Sequence, residues 1–185
     1  MEFKLKNGKT VLIRPLEMGE NVFTLSEFVN ETREASKYLT ENRKVTPEEE
    51  QKWVEDKLLQ IGAGESFVFV ALDGEKYVAS SEVDREKGHK RHLAQFGIMI
   101  HPAYQGQGLG QALSKFVLKH ALAKADFEQV FLHVFANNKP AVRVYEKLGF
   151  KTIATRPRFY KEDGEYSDDA YMTLDKALFL KQSSE

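Results

Sequence analysis

GIMIHPAYQGQGLG, Gly97 to Gly110, is the stretch on which the fold turns. An apolar strand runs up to Pro102, a turn with glycine at every second position (Gly106, Gly108, Gly110) follows, and a long amphipathic helix opens at Gly108. The first turn of a helix carries backbone N–H groups with no internal partner, at the positive end of the helix dipole. Glycine lets such a backbone adopt positive φ and approach a ligand closely. Strand, glycine turn and helix start together make a cradle for an anion, a phosphate or pyrophosphate first of all. Neither familiar nucleotide motif fits. A P-loop needs Lys and Ser/Thr after its last glycine, whereas Gln111 follows Gly110. The dinucleotide fingerprint is Gly-x-Gly-x-x-Gly directly after a strand, whereas here the spacing is Gly-x-Gly-x-Gly and His101-Pro102-Ala103-Tyr104 intervenes.

Upstream of this turn the chain reads as one strand, two helices and three strands. Thr10–Arg14 (TVLIR) is a short strand ended by Pro15, and residues Glu17 to about Glu34 have Val22, Leu25, Phe28 and Val29 at helical spacing. Thr46-Pro47-Glu48-Glu49 is a helix start, with Thr46 as cap, Pro47 in the first position and Glu49 completing a capping box. Trp53, Val54, Leu58 and Ile61 follow on one face, until Gly62 and Gly64 stop the helix. Ser66–Leu72, Lys76–Val83 and Leu93–Ile100 are then strands of an antiparallel meander, the first two joined by Asp73-Gly74. Downstream, Gly108–Lys124 is a helix, Val130–Phe135 a strand apolar enough to be covered on both faces, and Pro140–Leu148 a short helix ended by Gly149. Strands near Lys151–Tyr160 and Ser167–Leu174 flank Asp163-Gly164, a hairpin turn. The expected fold class is α+β, a single mixed, mostly antiparallel sheet flanked by helices, over one domain, residues 1–185.

Composition narrows the function. The chain has 185 residues, Lys+Arg 27 against Asp+Glu 28, and a net charge of −1, without the basic excess that nucleic-acid or membrane-surface binding needs. It has no cysteine, which removes disulfides, thiolate metal sites and a Cys nucleophile together. The five histidines have no metal-ligand spacing, and no Gly-x-Ser-x-Gly elbow is present. No apolar run approaches the roughly 20 residues of a membrane span, and MEFKLKNGKT lacks the apolar core of a secretory signal. The expectation is a soluble, cytoplasmic protein without a metal, a nucleic-acid partner or a membrane partner.

Gln105, Gly108 and Gly110 match Gln-x-x-Gly-x-Gly, and at that point the chain resembles the GCN5-related N-acetyltransferases. A second block, Asn137-Asn138-Lys139-Pro140-Ala141-Val142-Arg143-Val144-Tyr145-Glu146-Lys147-Leu148-Gly149-Phe150, resembles that family's N-x-x-A-x-x-x-Y-x-x-x-G-F, and the two lie at the family's usual separation. The likeness covers roughly Thr10 to Leu174. It implies acetyl-CoA as co-substrate, with the pyrophosphate held by backbone groups of Gln105, Gly106, Gln107, Gly108, Leu109 and Gly110. It also implies that the strand Gly97–Ile100 splays from Val130–Phe135, so that Ile98, Met99 and Ile100 pair with the pantetheine arm as an added strand would. An N–H near Met99 is then the oxyanion donor. Asn137 contacts the same arm, and the Tyr145 phenol serves the departing thiolate.

The remaining roles are candidates. A protonated amine is a poor nucleophile, so a base is needed; Glu82 on the neighbouring strand is one candidate, directly or through water, and Glu31 at the end of the first helix is another, unless it binds the amine instead. Glu31 and His92 are candidates for binding the acceptor, a small-molecule or peptide amine, with the Ser36–Val45 loop and the Lys161–Ser167 hairpin shaping its pocket. The implied reaction is direct transfer in a ternary complex with no acyl-enzyme, and the implied assembly is a homodimer. A non-catalytic acyl-CoA-binding sensor or interaction module is the alternative from another class.

Overall fold

A computed structural model describes residues 1–182, so the last three residues of the expected 1–185 domain lie outside it. Among the described residues, strands β1 (Glu2–Lys4), β2 (Thr10–Pro15), β3 (Ser66–Asp73), β4 (Lys76–Arg85), β5 (Leu93–Ile100), β6 (Gln129–Phe135), β7 (Lys151–Glu162) and β8 (Glu165–Asp175) form one sheet in the order β1-β2-β3-β4-β5-β6-β8-β7. Every neighbouring pair is antiparallel except β5 and β6. The mixed, mostly antiparallel sheet expected from the sequence is the one observed. β1 and the helix α5 (Lys176–Gln182) are additional, too short to carry a periodic signal.

The helices α1 (Val22–Ala35), α2 (Pro47–Gly62), α3 (Leu109–Lys124) and α4 (Lys139–Lys147) cover the sheet. α2 starts as its capping box requires: Thr46 Oγ1 accepts from the Glu49 N–H, and the Glu49 carboxylate accepts from the Thr46 N–H. α1 starts later than the periodicity suggests. Asn21 caps it, because Glu20 is drawn inward instead, where its carboxylate takes both Arg14 Nη atoms (2.6 and 2.7 Å), the Glu17 N–H and the Tyr77 hydroxyl. A nearly buried carboxylate with four donors outweighs one more helical residue.

Two cores follow from the period-2 alternation of the strands. On one face Val83, Phe96, Leu132, Val134 and Met172 meet Leu109, Leu113, Val117 and Ala121 of α3. On the other, Val68, Val70 and Tyr77 meet Leu25, Phe28 and Val54 of α1 and α2. The second core ends at β5, so on that face the β6-β8-β7 half of the sheet carries no helix core. The β7–β8 turn has Asp163 at φ 47° and Gly164 at φ 85°, the paired positive values of a two-residue hairpin turn.

Candidate active site

The parallel pair at the middle of the sheet is short. β5 and β6 are in register only from Leu93 to Gln95 against Gln129 to Phe131. Beyond Gln95 the strands part, and a gap opens towards the glycine turn. Backbone direction decides which groups of β5 face that gap, because N–H and C=O groups alternate sides along a strand. The His101 N–H donates to the Val78 carbonyl (2.9 Å) and the Gly97 carbonyl accepts from Ser81 Oγ (2.9 Å), so residues 97, 99 and 101 point at β4. The Ile100 carbonyl points the other way and accepts from Gln105 Nε2 (3.0 Å). The groups directed into the gap are therefore those of Ile98 and Ile100. Met99 N–H points at β4, paired in register with Ser80, so it is not the amide that faces the gap, as the oxyanion role expected of it requires; the Ile98 N–H is.

The turn at the open end has the left-handed glycine backbone that its spacing requires. Gly106 and Gly108 take φ of 71° and 88°, values that disfavour any side chain, and Gly108 caps α3. The amide groups of Gly106, Gln107, Gly108, Leu109 and Gly110 have no acceptor among the described residues. Gln105 differs: its N–H is used by the Pro102 carbonyl, and its side chain closes the turn onto Ile100. The Gln107 side chain is also engaged, with Oε1 accepting from the Asn7 N–H at 3.1 Å. Gly110 sits so close to β5 that a Cβ there would meet Ile100 Cδ1 at 3.0 Å.

Tyr145 on α4 packs edge-on to Phe96 and Phe150, with ring centroids 6.0 Å away in both cases, beside the parting strands. Burial pushes its phenol pKa up to about 12, and its hydroxyl has no hydrogen-bond partner among the described residues. Asn137 donates from Nδ2 to Ser167 Oγ (3.1 Å), tying the start of α4 to β8, while Asn138 caps α4.

Glu82 lies on the opposite face, in register with Gly97. A Cβ at Gly97 would stand 3.5 Å from Glu82 Cγ and Oε1, ordinary van der Waals contact, so the Glu82 side chain lies over Gly97. The buried Oε2 lies 2.7 Å from Lys57 Nζ, an ion pair outside hydrogen-bond geometry. Lys57 also reaches Asp84 Oδ2 (2.5 Å), whose other oxygen accepts from Ser66 Oγ. Burial, with Asp84 close by, raises the Glu82 pKa against the pull of Lys57. Lys57 was legible as an anomaly, a lysine inside the apolar stripe Trp53, Val54, Leu58, Ile61.

The chain matches the sequence profile of the acetyltransferase (GNAT) family over residues 28–150. It belongs to that family. Among relatives, it is 30% identical over 88 residues to the L-amino acid N-acetyltransferase AaaT of Escherichia coli K12 (48% of this chain, 54% of that one). It is 28% identical over 113 residues to the spermidine N(1)-acetyltransferase of the same strain (61% of this chain, 60% of that one). The chain thus spans little more than half the length of these curated relatives. Among solved structures, the GNAT acetyltransferase of Streptococcus pneumoniae superposes with a TM-score of 0.80 at 22% identity (89% and 99% of the two chains). Salmonella typhimurium yncA, solved with its cofactor acetyl-CoA, gives 0.78 at 20% (90% and 94%). These two likenesses establish the GNAT fold.

The two acceptor candidates are not brought to the GNAT cleft alike. Glu31 is on the surface, 3.1 Å from His101 Nε2 and 3.3 Å from Lys76 Nζ; Lys76 first and then His101 hold its pKa down against slight burial. His92 is exposed just before β5, where β5 and β6 are still paired, at the opposite end of the strand from the glycine turn. A cavity of about 420 Å³ is lined by Arg33, Lys37, Tyr38, Pro102, Gln105 and Glu162 among others, between the loop after α1, the glycine turn and the β7–β8 hairpin. Among the described residues no three His, Asp or Glu side chains gather as metal ligands, and no helix is long and apolar enough to cross a membrane.

Proposed function

We propose that the protein is an acetyl-CoA-dependent N-acetyltransferase that acylates a primary amine by direct attack within a ternary complex. The observation that carries this is the run of unpartnered amide groups from Gly106 to Gly110 at the open end of the β5–β6 gap. It has the shape and polarity for a pyrophosphate followed by an extended arm, and the positive φ of Gly106 and Gly108 disfavours a side chain at either position. When bound, acetyl-CoA supplies an acyl thioester with a thiolate leaving group.

The chain's residues then divide the work. Amide groups of Gly106–Gly110 hold the pyrophosphate, and Ile98 and Ile100 offer strand pairing to the arm, with the Ile98 N–H placed for the developing oxyanion. Glu82 accepts the proton of the amine through Oε1, directly or through water, and Lys57 holds its other oxygen. The Tyr145 hydroxyl donates to the departing sulfur. Asn137 sets the start of α4 and with it Tyr145. Cytoplasmic location and a homodimer belong to the same proposal.

The test is thiol release from acetyl-CoA across a panel of amino acids, polyamines, aminoglycosides and peptide N-termini, with calorimetry for cofactor binding. The chain has no cysteine, so a thiol reagent reads coenzyme A alone. Expected are saturable binding and amine-dependent release. Binding without release on any amine would refute the enzyme reading, and no binding would refute the cradle.

A further inference from the structure

The face of β6-β8-β7 that α1 and α2 leave uncovered carries a polar cluster that the proposed chemistry does not use. Asp169 on β8 is fully buried. Its Oδ1 accepts from the Tyr160 hydroxyl (2.8 Å), and its Oδ2 accepts from Arg156 Nε (2.9 Å) and Nη2 (2.7 Å) and lies 3.0 Å from His133 Nδ1. Arg156 Nη2 is also 2.9 Å from that Nδ1. The carboxylate is saturated, while Arg156 Nη1 and His133 Nε2 have no partner among the described residues. Arg156 lies over the Phe159 ring (3.7 Å) and His133 stacks on Tyr171 (4.9 Å), so both heads are braced from below. They open on a cavity of about 310 Å³ whose other walls are Leu93, Phe131, Ala154, Tyr171 and Lys90, the last ion-paired with Glu86.

Register connects this cavity with the reacting centre. Glu82 pairs with Gly97, and the β5–β6 register, carried two residues past its last pair, sets His133 level with Gly97 across the gap. His133 in turn pairs with Tyr171. Leu132 and Val134 point to the α3 core, so His133 is on the same face as Glu82. The gap therefore has unlike banks. Over the β5 bank lean the carboxylates of Glu82 and Asp84 from β4, around Lys57. The other presents N–H donors and no free carboxylate.

We propose that the acceptor is an amine bearing a carboxylate next to it, an α-amino acid or its close analogue, with its ammonium group at Glu82 and its carboxylate on Arg156 Nη1 and His133 Nε2. This rests on the acetyltransferase reading above. Glu82 on β4 leans over β5, its Oε1 3.5 Å from where a Cβ of Gly97 would stand, so one strand step of ~4.8 Å, more where the strands part, remains to His133 on β6; an α-amino acid's two charged groups hang from one carbon and, with a hydrogen bond at each end, span that step. A guanidinium fork favours a carboxylate, and a carboxylate at Nε2 draws the ring proton to that nitrogen. The apolar walls leave room for a large side chain. A polyamine would instead set its second ammonium group against Arg156 and Lys90.

The experiment compares phenylalanine, 2-phenylethylamine and spermidine on the intact wild-type protein. It measures kcat/KM with acetyl-CoA and, separately, affinity by calorimetry with the protein saturated in coenzyme A. The expected result is a preference of at least about tenfold for phenylalanine over its decarboxylated analogue in both readouts, with spermidine weakest. Arg156→Gln should bring the ratio towards one, its folding checked by thermal melting. Equal handling of phenylalanine and 2-phenylethylamine, or preference for spermidine, overturns the proposal without any variant. A carboxylate preference in affinity with no turnover would support this site and sink the acetyltransferase reading instead.

Discussion

Tyr145→Phe removes one oxygen and keeps the ring contacts to Phe96 and Phe150. The hydroxyl has no protein partner among the described residues, so nothing is left unpaired and unfolding free energy should change by no more than about 0.5 kcal/mol. The catalytic effect follows from the phenol's pKa, pushed up to about 12 by burial. An ordinary thiol ionises near 8.5, so full proton transfer from Tyr145 to a thiolate is uphill by about 3.5 pH units, roughly 5 kcal/mol. In the proposed role, Tyr145 would stabilise the leaving sulfur as a hydrogen-bond donor that keeps its proton. A hydrogen bond to a charged acceptor contributes about 1.5–3 kcal/mol, which converts to a loss of about 10–150-fold in kcat. Because the bond forms as charge develops on sulfur, acetyl-CoA affinity should stay within about twofold. The assay is steady-state thiol release with calorimetric Kd and a thermal melt. A kcat within twofold of the parent refutes the role. So does a basic limb in the parent's pH profile, well below 12, that vanishes in the variant, since a donor that retains its proton to about 12 produces none there.

Two more predictions test the other parts of the site. Gly108→Ala puts a side chain at φ 88°, where the nearest atom is Phe3 Cζ at 3.8 Å, so the penalty is backbone strain of about 1–2 kcal/mol; relaxing that strain distorts the amide row, acetyl-CoA should bind about tenfold more weakly at near-normal saturated kcat, and an unchanged Kd would remove the cradle. The Glu82 pKa is raised, so this group favours the folded state below its ordinary pKa and loses that contribution as pH rises through the raised value; Glu82→Gln should thus be at least as stable as the parent at pH 7, lose about a hundredfold in kcat/KM, and lose the acid limb expected of the parent above the ordinary carboxylate range, whereas an unchanged pH profile would exclude Glu82 as the base.

Local chemistry was legible where one residue type has one physical use. The capping box at Thr46, the Asp163-Gly164 hairpin and the glycine turn at 106–110 each require a backbone conformation that few residues supply, and each is where the sequence reading put it. The start of α1 was misjudged because Glu20 answers to Arg14 and Tyr77, and Tyr77 lies 57 positions away in the chain. The same limit hid Lys57 as the partner of Glu82, and Asp169 as the centre of the Arg156–His133–Tyr160 cluster.

By itself the sequence determined the α+β class, the glycine turn before α3, the family and the tyrosine beside the gap, because periodicity and turn chemistry are short-range properties of a chain. Only the tertiary structure decided which amide faces the gap and what stands across from it. The direction of Ile98 against Met99 follows from how β5 pairs with β4, and the placing of Glu82 on β4 level with His133 on β6, with Gly97 between them, follows from the registers of three strands. Strand pairing joins residues dozens of positions apart, and a slip of one residue turns every group to the other side.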